Sequence, residues 1–137
     1  MGVVLDTSII LAAERGAGDF AGFLESLGDE PVAMAAITAS ELLHGCLRAR
    51  DAGLRARRAA FVDAVLDAIP VLPFGLPEAR RHAEVWAALV KRGTMIRAHD
   101  LLVGATALAH GHALATLNRR EFKRVPGLVV REWKGGP

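Results

Sequence analysis

Acidic or amide side chains occupy four positions that each follow a predicted strand or lie in the first turn of a predicted helix. These positions are Asp6, Glu41, Asp100 and the pair Asn118 and Glu121. In an open α/β fold, ligands bind at the carboxyl ends of the parallel strands, which share one edge of the sheet. Carboxylates gathered at that edge would repel one another unless a cation lay between them. The pattern therefore predicts a metal site.

The donor types indicate which metal the site would bind. Oxygen ligands without a cluster of histidine or cysteine favour Mg²⁺, with Mn²⁺ as the alternative, over zinc. The histidines have no convincing ligand spacing, although His99 adjoins Asp100 and is a weak candidate for substrate contact. A hard divalent ion can orient a water, lower the pKa of that water and bind the oxygens of a scissile phosphate.

Each acid also has a purely structural explanation. Asp6 could cap the next helix. Glu41 is the last residue of a Thr-x-x-Glu sequence that starts at Thr38 and is typical of a capping box. Asp100 could simply favour the helix dipole, and the segment that starts at Asn118 also fits a cap. Caps have no reason to gather at one edge of a sheet, so the four positions together still favour a site.

Strands that alternate with helices must position these side chains. Short apolar runs predict strands at residues 3–5, 32–35, 71–73 and 113–117, with a further strand at 128–130. Helical spacing of apolar residues predicts helices between them, including 38–50, 77–91 and 98–110. This order predicts an α/β fold, with a central and mainly parallel sheet of about four to five strands flanked by helices.

Length and composition limit the class of protein. The 137 residues predict a single domain over residues 1–133, followed by a flexible tail at 134–137. The composition is 52% hydrophobic, yet apolar runs stay shorter than the roughly 18–20 residues of a membrane span. The first residues do not resemble a signal peptide. The single cysteine, Cys46, is expected to be a buried hydrophobic residue, and a cytoplasmic location fits it.

Basic residues are concentrated towards the end of the chain, although the net charge is only +2. From residue 97 onwards, the sequence contains seven Lys and Arg residues but only three acidic residues. Such a patch could be only a solvated surface. Beside an acidic metal site, however, basic flanks would attract a polyanion while the metal removed the repulsion at the centre.

Several other folds that place acids at strand ends fit less well. A phosphatase of the haloacid dehalogenase type needs a second aspartate two residues after the first, where this chain has Ser8. A receiver domain requires a different spacing of its acids and its lysine. A dinucleotide-binding fold needs a glycine-rich turn after the first strand. A binding module without enzymatic activity, in which the acids only cap helices, stays open.

Four sequence motifs together resemble those of the PIN-domain ribonucleases. The motifs are LDTS at residues 5–8, TASEL at 38–42, HDLLVGATA at 99–107 and TLNRREF at 116–122. The last motif and the VPGL that follows at 125–128 look like the VapC toxins of type II toxin–antitoxin pairs. The resemblance extends over essentially the whole chain, and its specificity comes from the order and spacing of the motifs.

The resemblance implies a PIN-like fold and assigns the metal ligands. Asp6, Glu41 and Asp100 match the three acidic ligands of the family motif by motif. The family often has a fourth acid after the last core strand, where this chain has Asn118, with Glu121 three residues further on. Asn118 would bind through its carbonyl, Glu121 would act through a water, or a second metal would bind only with substrate. The resemblance does not decide among these alternatives.

The resemblance also implies an activity and partners. It predicts a Mg²⁺-dependent endoribonuclease toxin that leaves a 5′-phosphate and a 3′-hydroxyl, is inhibited by a VapB-like antitoxin and forms a homodimer. The alternative within the family is a PIN nuclease with a housekeeping role in RNA processing. Residues expected to support the acids or to contact RNA are Thr7, Thr116, Arg119, Arg120 and Lys123.

Overall fold

The computed structural model describes residues 1–16 and 20–133, and within them it has five strands and seven helices. The strands are β1 Val3–Leu5, β2 Val32–Ala35, β3 Val71–Leu72, β4 Ala113–Thr116 and β5 Val130–Glu132. The helices are α1 Thr7–Glu14, α2 Phe20–Ser26, α3 Ala36–Arg48, α4 Ala52–Ala68, α5 Leu76–Arg92, α6 Ala98–Ala109 and α7 Arg119–Phe122. The predicted α/β class is confirmed.

The five strands form one sheet in the order β3-β2-β1-β4-β5, and all four neighbouring pairs are parallel. The central strand β1 pairs through Val3 with Val32 of β2 on one side and with Ala113 of β4 on the other. β1 and β4 are buried along their whole length. This burial is consistent with their nearly continuous apolar sequences, since helices cover both faces of a parallel sheet. Thr116 is the one polar residue in these two strands.

The strand order creates a crevice at the carboxyl ends of β1 and β4. From β1 the chain adds β2 and β3 on one side, then crosses to the other side to form β4 and β5. The connections that leave β1 and β4 therefore run in opposite directions, which is the arrangement that leaves a ligand-binding crevice in an open sheet. Asp6 follows β1 at this point, and Thr116 ends β4.

Alternate residues of the strands pack on opposite faces of the sheet. Val3 and Leu5 join a core formed with α1, α3 and α4, while Val4 packs with Val103 of α6 and Phe122 of α7 on the other face. Full burial of each such side chain stabilises the fold by roughly 1.5–3 kcal/mol. The two layers hold α3 and α6 against the sheet, and these are the helices that carry Glu41 and Asp100.

Some predicted boundaries differ from the structure. The last strand lies at Val130–Glu132 instead of 128–130, and α3 begins at Ala36 instead of at residue 38. Cys46 is buried, as predicted. The assignment of residues 1–133 to a single domain stays a prediction, and the predicted tail at 134–137 lies outside the described residues. Among the described helices, none is both long and apolar enough to cross a membrane.

Candidate active site

A cavity of about 360 Å³ opens at the crevice between β1 and β4. Four of the five predicted acidic or amide residues line it, each from a different part of the fold: Asp6, Glu41, Asp100 and Asn118. Thr7, predicted as a supporting residue, lines it as well. Glu121 lines an adjoining cavity that shares Asn118 and Arg97 with the first. The structure therefore brings together side chains that are as far apart in the sequence as residues 6 and 118.

Asp6 is buried at the end of β1, and both of its carboxylate oxygens accept hydrogen bonds. Oδ1 accepts from the Ser8 hydroxyl and from the backbone N–H of Ile9 at 3.3 Å, so Asp6 does cap α1. Oδ2 accepts from the Thr116 hydroxyl. Burial raises the pKa of Asp6 above its usual range, and these hydrogen bonds only partly oppose that rise. Asp6 therefore both caps α1 and lines the cavity, so its structural role does not exclude a role in the site.

Glu41 lies in the second turn of α3, because β2 continues directly into the helix at Ala36. The capping-box interpretation is therefore wrong: Ala35 occupies the N-cap position. Instead, the Glu41 carboxylate accepts a hydrogen bond from the Thr7 hydroxyl through Oε1 at 2.7 Å. Its Oε2 lies 3.4 Å from Nδ1 of His99. Glu41 thus joins the cavity through side-chain contacts with α1 and α6.

Asp100 lies in the first turn of α6, as predicted, with only 20% of its side chain exposed. Its Oδ2 is buried and accepts no hydrogen bond, and Nε of Arg97 lies 3.6 Å away. The pKa of Asp100 is raised to about 6, first by burial and then by the charge of Glu121, while Arg97 opposes the rise. Asp100 is therefore an acid whose charge is poorly compensated by the protein.

Asn118 and Glu121 differ in what they contact. The Asn118 amide nitrogen donates to Glu121 Oε2 at 2.8 Å, and the backbone N–H of Arg97 donates to Glu121 Oε1 at 2.8 Å. The Arg97 hydrogen bond is the main reason why the pKa of Glu121 is lowered. Asn118 makes no side-chain cap to α7. Asn118 therefore lines the cavity directly, whereas Glu121 is bound to the loop before α6.

The residues around the cavity fit a hard divalent cation in chemistry and charge. Carboxylate and amide oxygens are the ligands that Mg²⁺ and Mn²⁺ prefer. The raised pKa values of Asp6 and Asp100, together with the unpartnered Asp100 Oδ2, indicate negative charge that a cation would stabilise. In the described residues, no three His, Cys, Asp or Glu side chains already converge on one centre. The acids therefore line one cavity without three of them yet surrounding a single point.

The predicted basic residues lie beside the cavity but differ in their contacts. Arg119, Arg120 and Lys123 line a neighbouring cavity with Thr116 and Asn118. The Arg119 guanidinium pairs with Glu132 of β5 at 3.0 Å. Arg120 and Lys123 are exposed. The position next to the acids suits a role in phosphate binding, and that role stays a prediction.

Two polar residues at the cavity, Ser8 and Arg97, were not predicted as site residues. Ser8 lines it and donates to Asp6, and Arg97 lines it close to Asp100. Ser8 follows Asp6 by two residues, and Arg97 precedes Asp100 by three, a spacing at which helical side chains meet. These spacings were the available signals, but the sequence pattern gave no reason to separate Arg97 from the other basic residues near the end of the chain.

Comparison with known proteins identifies close relatives. The family described as PIN domain matches residues 3–128. The chain is 38% identical to Ribonuclease VapC1 of Rickettsia felis and 36% identical to Ribonuclease VapC of Rickettsia bellii, over 95% of each chain. Among solved structures, VapBC2 from Rickettsia felis bound to a promoter DNA fragment superposes with a TM-score of 0.90 at 26% identity. That match covers 98% of this chain and 100% of the other.

Proposed function

Because the chain belongs to the PIN-domain family and, within it, to the VapC ribonucleases, we propose that the cavity between β1 and β4 is the active site of a Mg²⁺-dependent endoribonuclease toxin. The observation that carries the proposal is the meeting of Asp6, Glu41 and Asp100 at one cavity, although they come from three separate segments. The reaction is hydrolysis of an RNA phosphodiester bond that leaves a 5′-phosphate and a 3′-hydroxyl.

In this proposal Asp6, Glu41 and Asp100 hold the metal, with Mn²⁺ as an alternative to Mg²⁺. Asn118 takes the fourth position, and its place on the cavity wall supports this role more than Glu121, which is bound to Arg97. When bound, such an ion lowers the pKa of a water and stabilises charge on the scissile phosphate. The remaining chemistry depends on how the protein positions these side chains.

Hydroxyl groups position two of the proposed ligands. Thr116 and Ser8 hold the two oxygens of Asp6, and Thr7 holds one oxygen of Glu41. Neutral donors fix the orientation of a carboxylate without neutralising its charge, and such supporting groups commonly change metal affinity by about 10–100-fold when removed. We assign Thr7 and Thr116 as positioning residues on this basis.

The RNA backbone would lie across α7. Arg120 and Lys123 are exposed beside the acids, where they can bind phosphates on one side of the scissile bond. Arg119 contributes less in this proposal because Glu132 already pairs with it. Lys and Arg contacts to phosphates give affinity without sequence preference, so the choice of RNA lies elsewhere on the surface.

The biological role follows from the relatives. The R. felis structure is described as VapBC2 bound to promoter DNA. By analogy, this chain acts as a toxin that a VapB-like antitoxin binds and inhibits, it forms a homodimer, and its reaction takes place in the cytoplasm. The identity of more than a third with two VapC ribonucleases over nearly the full chains supports this role more than a housekeeping one.

The experiment that tests the proposal is RNA end mapping after brief expression of the protein. New 5′-phosphate ends at defined RNA positions support an endoribonuclease and name its substrate. Asp6→Asn is the matched control because it removes a ligand charge with almost no change in shape. Identical end maps for the wild type and Asp6→Asn would refute the proposed site.

A further inference from the structure

Arg97 occupies a position between two acids at the mouth of the cavity. It is the residue immediately before α6, and its backbone N–H is fixed by Glu121 at 2.8 Å. Its Nε lies 3.6 Å from Asp100 Oδ2 and 3.8 Å from Glu121 Oε2. The backbone is therefore anchored, while the guanidinium reaches two carboxylates of the proposed site.

The positive charge of the guanidinium partly compensates the negative charge of these acids, but the guanidinium does not hydrogen-bond to their carboxylate oxygens. Neither distance is short enough for a good N–H···O hydrogen bond, and Asp100 Oδ2 has no hydrogen-bond partner in the described chain. The Arg97 side chain is also 78% exposed. It can therefore leave the acids without a large change in solvation, because water already surrounds most of it.

We propose that Arg97 is the internal counter-cation of the metal-free site and that it binds an RNA phosphate once a divalent ion has neutralised the acids. This inference rests on the proposed function. A dication among the carboxylates removes the attraction that holds the guanidinium and repels it directly. The freed guanidinium stays at the cavity mouth because its backbone is bound to Glu121.

The chemistry of arginine suits the second role. Its planar, permanently charged fork matches the oxygens of a phosphate in a bidentate contact, which a lysine cannot reproduce. Arg97 borders both the acidic cavity and the adjoining cavity that Arg120 and Arg124 line. A phosphate held by Arg97 would therefore lie between the metal ligands and the basic surface of α7.

The first test measures divalent-ion binding in the absence of RNA, by calorimetric titration of the full chain with Mn²⁺ at low salt. Arg97→Gln removes the competing positive charge. We expect this variant to bind Mn²⁺ about 3–10-fold more tightly, because the lost charge lies within the Debye length of the site. Arg97→Lys should stay near the wild type. Arg81→Gln is the charge-matched control, since Arg81 forms an exposed pair with Glu84 on α5.

The second test measures the RNA concentration that gives half-maximal single-turnover cleavage at saturating Mg²⁺. Arg97→Gln is expected to raise this concentration about 5–20-fold, because it removes one charged contact with an RNA phosphate. Arg97→Lys should recover only part of it, because it restores the charge but not the fork. Melting temperatures show whether each variant is folded, and Arg97→Met, which also removes the charge, replaces Arg97→Gln in both tests if the latter does not fold.

The two tests separate the possible failures. Equal Mn²⁺ affinity in folded Arg97→Gln and wild type would overturn the counter-cation role. Tighter Mn²⁺ binding with unchanged RNA dependence would overturn the phosphate role. If the folded wild type binds no Mn²⁺ at all, the proposed metal site is wrong, and the role of Arg97 is wrong with it.

Discussion

The Thr116 hydroxyl donates a hydrogen bond to the Asp6 carboxylate, and so joins two residues that lie 110 positions apart in the sequence. Each residue stands at the carboxyl end of its strand, and β1 and β4 are neighbours in the sheet. The contact forms only when these strands are paired in the correct register. The geometry of the proposed ligand Asp6 is therefore fixed by the pairing of the central strands.

Replacing Thr116 with valine should weaken metal binding. Valine keeps the shape of the side chain but removes the donor to Asp6 and the acceptor of the Asn118 backbone N–H, so we expect metal affinity to fall about 10-fold. Loss of the buried hydrogen bond should also lower the free energy of unfolding by about 1–3 kcal/mol. Mn²⁺ titration and chemical unfolding measure the two effects.

Thr106→Val is the matched control for this substitution. Thr106 is equally buried, but its hydroxyl donates to the Leu102 carbonyl within α6. The Thr106→Val variant should be less stable than the wild type but should bind Mn²⁺ with unchanged affinity. Equal losses of affinity in the two variants would show that the hydroxyl of Thr116 has no specific role in positioning Asp6.

Replacing Asp100 with asparagine should stabilise the metal-free protein at neutral pH. The pKa of Asp100 is about 6 in the folded state and 3.8 without the protein environment. The folded state thus retains a proton that the unfolded chain releases, so wild-type stability should fall as the pH rises through this range. After allowance for solvent screening of a partly exposed group, the loss amounts to about 1–2 kcal/mol.

Unfolding in the presence of a chelator at about pH 4, pH 5.5 and pH 7.5 measures this effect. The Asp100→Asn variant should lose less stability than the wild type between the lowest and the highest pH, because it has no carboxyl group to ionise. A wild-type stability that rises over this interval as much as that of Asp100→Asn would contradict the assigned pKa shift and its cause.

Removing two charges from α7 and its C-cap should weaken RNA binding in a salt-dependent manner. For the double variant Arg120→Gln and Lys123→Gln, the slope of log affinity against log salt should decrease by about 1.4, since each phosphate contact to a single strand contributes about 0.7. Fluorescence anisotropy at several salt concentrations measures the slope.

The double variant Arg80→Gln and Arg81→Gln removes the same charge from the beginning of α5. This end of α5 lies near His110, at the opposite end of α6 from Asp100. Its salt slope should match that of the wild type. If both double variants reduce the slope equally, binding reflects net charge and not a specific RNA path across α7.

Much of the fold could be predicted because local patterns and tertiary structure agree. β1 and β4 are short apolar runs, and their burial on both faces matches that pattern. The end of α5 was predicted at residue 91 and lies at Arg92. The helix stops there because Gly93 adopts the left-handed conformation, with φ of 67°, that glycine favours. The acids at the strand ends followed from the parallel arrangement of the sheet.

The role of Glu41 within its helix could not be predicted from local sequence. The Thr-x-x-Glu pattern is a correct signal for a helix start in general, but β2 leads into α3 two residues earlier, at Ala36. Thr38 is consequently buried inside the helix. Partners such as Thr7 and His99 come from distant segments, so their contacts with Glu41 depend on packing between helices.

The position of Arg97 illustrates the same limit. In the sequence it is one of several basic residues near the end of the chain, and spacing alone links it to Asp100. The hydrogen bond from its backbone to Glu121 forms only because the loop before α6 packs against α7. That contact also binds the Glu121 carboxylate to the loop before α6, which the order of residues did not reveal.

Cleavage of RNA by the wild type and Asp100→Asn, with Mg²⁺ or with a chelator, tests the central claim most directly. Asp100→Asn removes the charge of a proposed ligand and replaces one of its carboxylate oxygens with an amide nitrogen. We predict that the wild type cleaves only with Mg²⁺ and yields 5′-phosphate ends, while the folded variant is at least about 100-fold slower. Full activity of the wild type in chelator, or full activity of Asp100→Asn in Mg²⁺, would contradict the account.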